Sequence, residues 1–304
     1  MIGLIHEPAL MAAHDKVGHA EHAGRLALAA LDSLSPNVEL RGATDAELLA
    51  VHTPSHLQAI AAKCASGGGM LDPDTYCGPE SEAIARAVAG GLIDLSCGVL
   101  SGAFTNGLAI VRPPGHHATV NQAMGFCLYN TVAVAAAALR SRGVQRVAII
   151  DFDVHHGNGT QDIFYADNTV LYLSSHQYPL YPGSGSASET GTGAGEGFTL
   201  NHPLDVGAGD AEFLAAYTEN LLPALADFQP GFILVSAGYD AHVSDPLAGL
   251  NVTTAGFCML SALLVQAATE LCGGKIVFSL EGGYHPGALA ECLTETAQVL
   301  AKSR

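Results

Sequence analysis

RVAIIDFDVHHGNGT, residues 146–160, is an apolar β-type run that passes directly into two aspartates, two histidines and a glycine-rich turn. A short unbroken apolar run suits a strand buried on both faces. Side chains alternate along a strand, so Asp151, Asp153 and His155 share one face. A strand that ends in acidic and imidazole side chains carries chemistry at its carboxyl end.

The theme recurs on both sides of this stretch. GLAIVRPPGHHA (107–118), TVLYLSSHQ (169–177), FILVSAGYDAH (232–242) and KIVFSLEGGYH (275–285) are apolar runs that end in polar residues. Helical patterns separate them: SEAIARAVAGGLIDLSCGVLSG (81–102), NTVAVAAAALRSRG (130–143), AEFLAAYTENLLPALADFQ (211–229) and TAGFCMLSALLVQAATELCGG (254–274). In the second of these, Arg140 and Arg142 fill the last turn and Gly143 marks the stop. Strands alternating with helices predict an α/β fold with a mostly parallel sheet covered on both faces. Such sheets bind ligands beyond the carboxyl ends of their strands, which brings the five chemical strand ends into one cleft.

Other segments depart from the alternation. Residues 179–210 are rich in Gly, Ser and Thr and read as one long loop or lid. Residues 1–80, with a helix expected over EHAGRLALAALDSL (21–34), read as appended to the core, which makes 1–304 one domain. There is no internal repeat.

Composition narrows the function. With 49% hydrophobic and 13% charged residues, the chain can bury a large core. A net charge of −17, from 12 basic and 29 acidic residues, argues against nucleic-acid binding and favours cationic substrates. The N-terminus lacks the basic start of a signal peptide, and no apolar run reads as long enough to cross a bilayer. Seven cysteines without a C-x-x-C pair predict reduced thiols and a cytoplasmic protein.

At the strand ends, Asp153, His155 and Asp240 make a two-carboxylate, one-imidazole set within the range of a catalytic zinc. Asp151 can hold one histidine of the tandem pair His116–His117 and raise its basicity, while Asn158 can orient the other. His156 has no assigned task beyond packing or loop hydrogen bonding. Glu281-Gly-Gly-Tyr284 lets the backbone approach the cleft and offers a phenol to a developing oxyanion.

RPPGHHA, GFCLYN, DFDVHHGNGTQ, YPGSGS, SAGYDAH-x-x-DPL and EGGY, in this order, resemble the zinc-dependent histone deacetylase and acetylpolyamine amidohydrolase superfamily. DTYCGPES and HDKVGHAEHAGRL are similar to that family's N-terminal part, so the likeness runs from about residue 14 to 290. The resemblance implies a single arginase-deacetylase domain with one zinc held by Asp153, His155 and Asp240. It implies that His116 and His117 are the catalytic histidines, that Asp151 supports the first, and that Tyr284 stabilises the oxyanion. Gly125 and Phe126 then line one wall of the acyl-lysine tunnel and Tyr181 the other. A structural potassium ion among Asp151, Asp153, His155 and Ser174 also follows from the likeness.

Some positions depart from the common pattern. Asn158 stands where class I members carry aspartate, as in class II and bacterial members. Tyr181 replaces the usual phenylalanine. Leu247 occupies the position where polyamine-preferring members can carry an acid, which leans the expected substrate towards acyl-lysine in proteins or peptides, with acylated polyamine as the alternative. Self-association through the long loop stays open. A binuclear manganese ureohydrolase would need an aspartate where this chain has Gly157, and a non-catalytic acyl-lysine reader would lack a ligand, histidine or tyrosine that this chain keeps.

Overall fold

The computed structural model describes residues 1–26 and 37–303. Nine strands occur among them: β1 (Gly3–His6), β2 (Gly69–Met70), β3 (Tyr76–Cys77), β4 (Gly107–Ile110), β5 (Val147–Asp151), β6 (Val170–Gln177), β7 (Thr199–Leu204), β8 (Phe232–Ala237) and β9 (Ile276–Leu280). Seven form one sheet in the order β1-β4-β9-β8-β5-β6-β7, and every pair in it is parallel. β2 and β3 make a separate antiparallel pair.

The five strands whose ends carry polar chemistry, β4, β9, β8, β5 and β6, are consecutive in this order. All their residues are buried, because helices flank the sheet. Ser81–Ser101 packs on Thr131–Ser141, and Thr254–Cys272 packs on Pro286–Lys302. Gly143, the expected stop, follows the Thr131–Ser141 helix with φ +94°, but of the two arginines expected in the last turn only Arg140 lies there and Arg142 is the cap. Asn130 Oδ1 accepts the Ala133 N–H, Thr253 Oγ1 accepts the Gly256 N–H, and Gly102 and Gly273 close their helices in the left-handed conformation.

The fold corrects several expectations. The 179–210 segment is not one loop, because Thr199–Leu204 is an edge strand paired with β6 from Tyr172↔Thr199 to Gln177↔Leu204. TLNHPL escapes notice since it is only half covered, with Pro203 inside it, which an edge strand tolerates. Residues 1–80 are not merely appended: Gly3–His6 forms the opposite edge of the sheet. In the expected helix 21–34, Ala23–Arg25 is a single 3-10 turn, and residues 27–34 lie outside the described residues. The 211–229 helix passes through a π-helical stretch, Ala216–Leu221, just before Pro223, whose missing N–H cannot continue the α ladder. By length and composition Ser81–Ser101 and Thr254–Cys272 are apolar enough to cross a membrane, contrary to the sequence reading. In this fold both supply core residues, among them Leu92, Ile93, Phe257 and Leu264. All seven cysteines are free.

Candidate metal centre and tandem histidines

Three ligand atoms converge beyond β5 and β8. One atom each from Asp153, His155 and Asp240 lies within 4.8 Å of the others. His155 Nδ1 stands 3.1 Å from both Asp153 Oδ1 and Asp240 Oδ2. Two carboxylate oxygens and one imidazole nitrogen at this spacing could share one metal ion.

The carboxylates are held from behind. Asp153 Oδ2 accepts the Gly282 N–H at 2.8 Å, and Asp240 Oδ1 accepts the Val154 N–H at 2.9 Å. A Cβ on Gly282 would collide with Asp240 Oδ2 and crowd Asp153 Oδ2, so the first glycine of EGGY is required by this cradle. The donor set, two carboxylate oxygens and one imidazole nitrogen, fits a zinc ion in a catalytic site.

Charge is unevenly shared. Burial works against the charged form of His155, yet its bonds to Asp153 and Asp240 lift it to about 10. Burial pushes Asp240 up to about 7, helped by Asp153, whereas Asp153 is held well below the usual carboxylate range, despite burial, by His116 and His155. Metal uptake has to displace the His155 proton, so affinity falls with acidity.

The tandem histidines separate at this point. His116 Nδ1 lies 3.0 Å from Asp151 Oδ2, which also accepts the Tyr172 hydroxyl at 3.1 Å. Burial disfavours charge on His116, but Asp151 and Asp153 outweigh it and raise this imidazole to about 10. His117 Nδ1 sits 2.8 Å from Asn158 Oδ1 instead. Burial, then the neighbours His116 and His155, hold His117 well below the ordinary histidine value, so it is neutral. If Asn158 Oδ1 accepts from Nδ1–H, Nε2 of His117 is the free basic nitrogen.

The residues proposed for the tunnel walls are also drawn together. The Tyr181 ring meets His117 edge-on at 5.1 Å and Phe126 meets Tyr284 at 5.9 Å. Gly125 has φ +55°, and a Cβ there would collide with the His117 ring, so its role is close packing on that histidine. Leu247 is 38% exposed. Ser174 is the register partner of Asp151 and fully buried, and its hydroxyl lies 2.8 Å from His176 Nδ1. His156, left without a task by the sequence, bonds Ser184 Oγ at 2.8 Å and Gln161 Oε1 at 3.0 Å.

Several contributors were not legible. Glu281 Oε2 accepts the Gly115 and His116 N–H groups at 2.6 and 3.2 Å and thereby fixes the PGHH turn. Arg25 donates from Nε to Gly283 O and from Nη2 to Glu281 O, both at 2.7 Å, and stacks over Tyr284 with Cζ 4.7 Å from the ring centroid. Glu21 bridges Arg25 and Arg112 in the same buried cluster. Arg112 adjoins the tandem histidines in sequence, but its partner is 91 residues away.

With this geometry in place, comparison with known proteins decides the lineage. The histone deacetylase domain model matches residues 18–300. The chain belongs to the histone deacetylase family. Among family members, it is 41% identical over 267 residues to Histone deacetylase 15 of Arabidopsis thaliana, covering 86% of this chain and 48% of that one. It is also 41% identical over 284 residues to the Histone deacetylase-like amidohydrolase of Pseudomonas aeruginosa, covering 90% of this chain and 75% of the relative. The crystal structure of the HDA15 HD domain superposes with a TM-score of 0.93 at 37% identity, covering 99% of this chain and 91% of that chain. The chain spans about half the length of the plant deacetylases it matches.

Proposed function

We propose that this deacetylase-family chain is a zinc-dependent amidohydrolase that removes acetyl or another short acyl group from the ε-amine of lysine in proteins or peptides. The observation that carries the reading is the convergence of Asp153, His155 and Asp240 within 4.8 Å beside a neutral His117 and a cationic His116. Bound to the three ligands, zinc would lower the pKa of a water and polarise the acyl carbonyl.

The side chains divide the remaining work. His117, neutral and oriented by Asn158, accepts the proton of the attacking water and returns one to the leaving amine. His116, kept charged by Asp151, favours the oxyanion electrostatically without trading protons. Burial raises the Tyr284 phenol well above its ordinary value, so it stays protonated and donates to the same oxyanion. Phe126 and Tyr181 flank the aliphatic part of the acyl-lysine. The same reading includes a structural potassium ion near Asp151, Asp153, His155 and Ser174, supported by the register that sets Asp151 against Ser174.

The alternative, hydrolysis of acylated polyamines, is favoured by the net charge of −17 and disfavoured by apolar Leu247. A panel of acetyl-, formyl- and crotonyl-lysine peptides beside acetylated putrescine and spermidine separates the two, assayed with and without a chelator. Turnover of lysine peptides that stops on chelation and returns with zinc is expected. Preference for the polyamines would move the assignment to the alternative, and metal-independent or absent turnover on every substrate would remove it.

A further inference from the structure

Tyr284 follows two glycines, and Gly283 takes a φ of +122° that a side-chain residue rarely adopts, so no side chain of the two preceding residues helps to place it. The restraint comes from elsewhere. We infer that Asp245 is the positioning residue for Tyr284, and that its single carboxylate sets the spacing between this oxyanion donor and Leu247. The inference rests on the amidohydrolase reading.

Asp245 Oδ2 accepts the Tyr284 N–H at 2.6 Å, while Oδ1 accepts the Leu247 N–H at 3.0 Å. The Asp245 N–H donates to His242 O at 2.8 Å, and the residue is buried. One carboxylate thus ties the loop after β8 to the loop after β9. A local turn at Leu247 needs only one oxygen; the second reaches a residue 39 positions away. Bonds from main-chain N–H to a carboxylate are short and strong, which makes this a firm anchor. Arg25 lies over the face of the phenol and Phe126 meets it at an edge, so the ring has bounds on two sides; of the Gly283–Tyr284 peptide from which it extends, Arg25 holds the carbonyl and Asp245 the N–H.

Asparagine keeps the shape but has one acceptor oxygen, so one of the two N–H groups would face an NH₂. In the zinc-loaded protein acting on an acetyl-lysine peptide, Asp245→Asn is expected to lower kcat on the order of tenfold to a hundredfold with little change in KM. In a Tyr284→Phe background the same change should cost less than about threefold, because residues acting as a unit are non-additive. Asp245→Glu, which keeps two acceptors, should recover part of kcat. Asp245→Ser, too short to reach Tyr284, should behave like asparagine and serves if that variant does not fold.

Independently of turnover, amide exchange in the 282–286 segment of the metal-free variant should accelerate about tenfold while β5 is unchanged. Equal kcat losses in both backgrounds, or unaltered exchange at 282–286, would overturn the inference. A wild-type protein inert on every acyl-amine would sink the proposed function instead, and the exchange result would still decide the anchor.

Discussion

His116 leans on carboxylates, Asp151 at 3.0 Å with Asp153 beyond it, whereas His117 leans on an amide, Asn158 at 2.8 Å. The two rings are chain neighbours with centroids 4.0 Å apart, and both are buried. One is raised to about 10 and the other pushed well below the ordinary value. Burial acts on both in the same direction, so the difference comes from the neighbouring charges: Asp151 and Asp153 raise His116, whereas His116 and His155 lower His117 further. A tandem of identical residues becomes one fixed cation and one titratable base because one faces the carboxylate that ends β5 and the other the amide that opens the following helix, Asn158–Phe164.

The largest expected effect tests the centre that both histidines serve. Asp240→Ala should reduce bound zinc well below one ion per chain, read by elemental analysis, and abolish turnover, because two remaining donors leave the set incomplete. Full zinc occupancy in that variant would show that the histidines face something other than this donor set.

The division between the two imidazoles is tested next. His117→Ala should lower kcat by about 10²- to 10⁴-fold, the range for a general acid–base group. His116→Ala should cost less, on the order of 10²-fold, as the loss of one electrostatic contact. A larger loss for His116→Ala in steady-state kinetics would reverse the assigned roles.

A smaller effect exchanges the partners' chemistry. Asn158→Asp places a carboxylate on His117, which favours the imidazolium, so the acidic limb of the kcat/KM profile should move to higher pH by about one unit. An unmoved limb would mean that His117 is not the group titrating there.

The smallest effect is on stability, read as melting temperature against pH for the metal-free protein. The folded value of His116 lies above its unfolded value of about 6.5, so its contribution is fully present below 6.5 and lost as pH rises towards 10. The folded value of His117 is lowered, so the unfolded chain binds a proton that the native state refuses, and wild type loses stability as pH falls below about 6.5. Wild type should therefore lead His116→Gln most in acid, while its lead over His117→Gln should grow as pH rises towards about 6.5 and stay level above it. Parallel curves for the two variants would erase the contrast.

Much of this site was legible because it lies at strand ends. Asp151, Asp153 and His155 follow one another at a spacing of two, and Asp240 and Tyr284 end apolar runs of the same kind, so the period of a strand and the parallel-sheet rule bring them together. β1 and β7 were illegible for the converse reason: β1 precedes the strand–helix alternation that marks the others, and the TLNHPL run of β7 is half covered and holds Pro203, so local pattern does not mark them. Glu281 stood in a quoted motif, but its grip on the PGHH turn depends on a contact across 166 residues. Asp245 and Arg25 act through main-chain atoms, which leave no mark on composition or period.

The sequence by itself determined the alternation of strands and helices, the parallel sheet and which residues stand at its chemical edge, since those follow from periodicity and residue type. Only the tertiary structure decided how His155 and the buried surroundings keep His117 neutral, which loops hold Tyr284 and where the sheet ends. Partner identity across 35 to 258 residues of chain is a property of packing, and no local pattern encodes it.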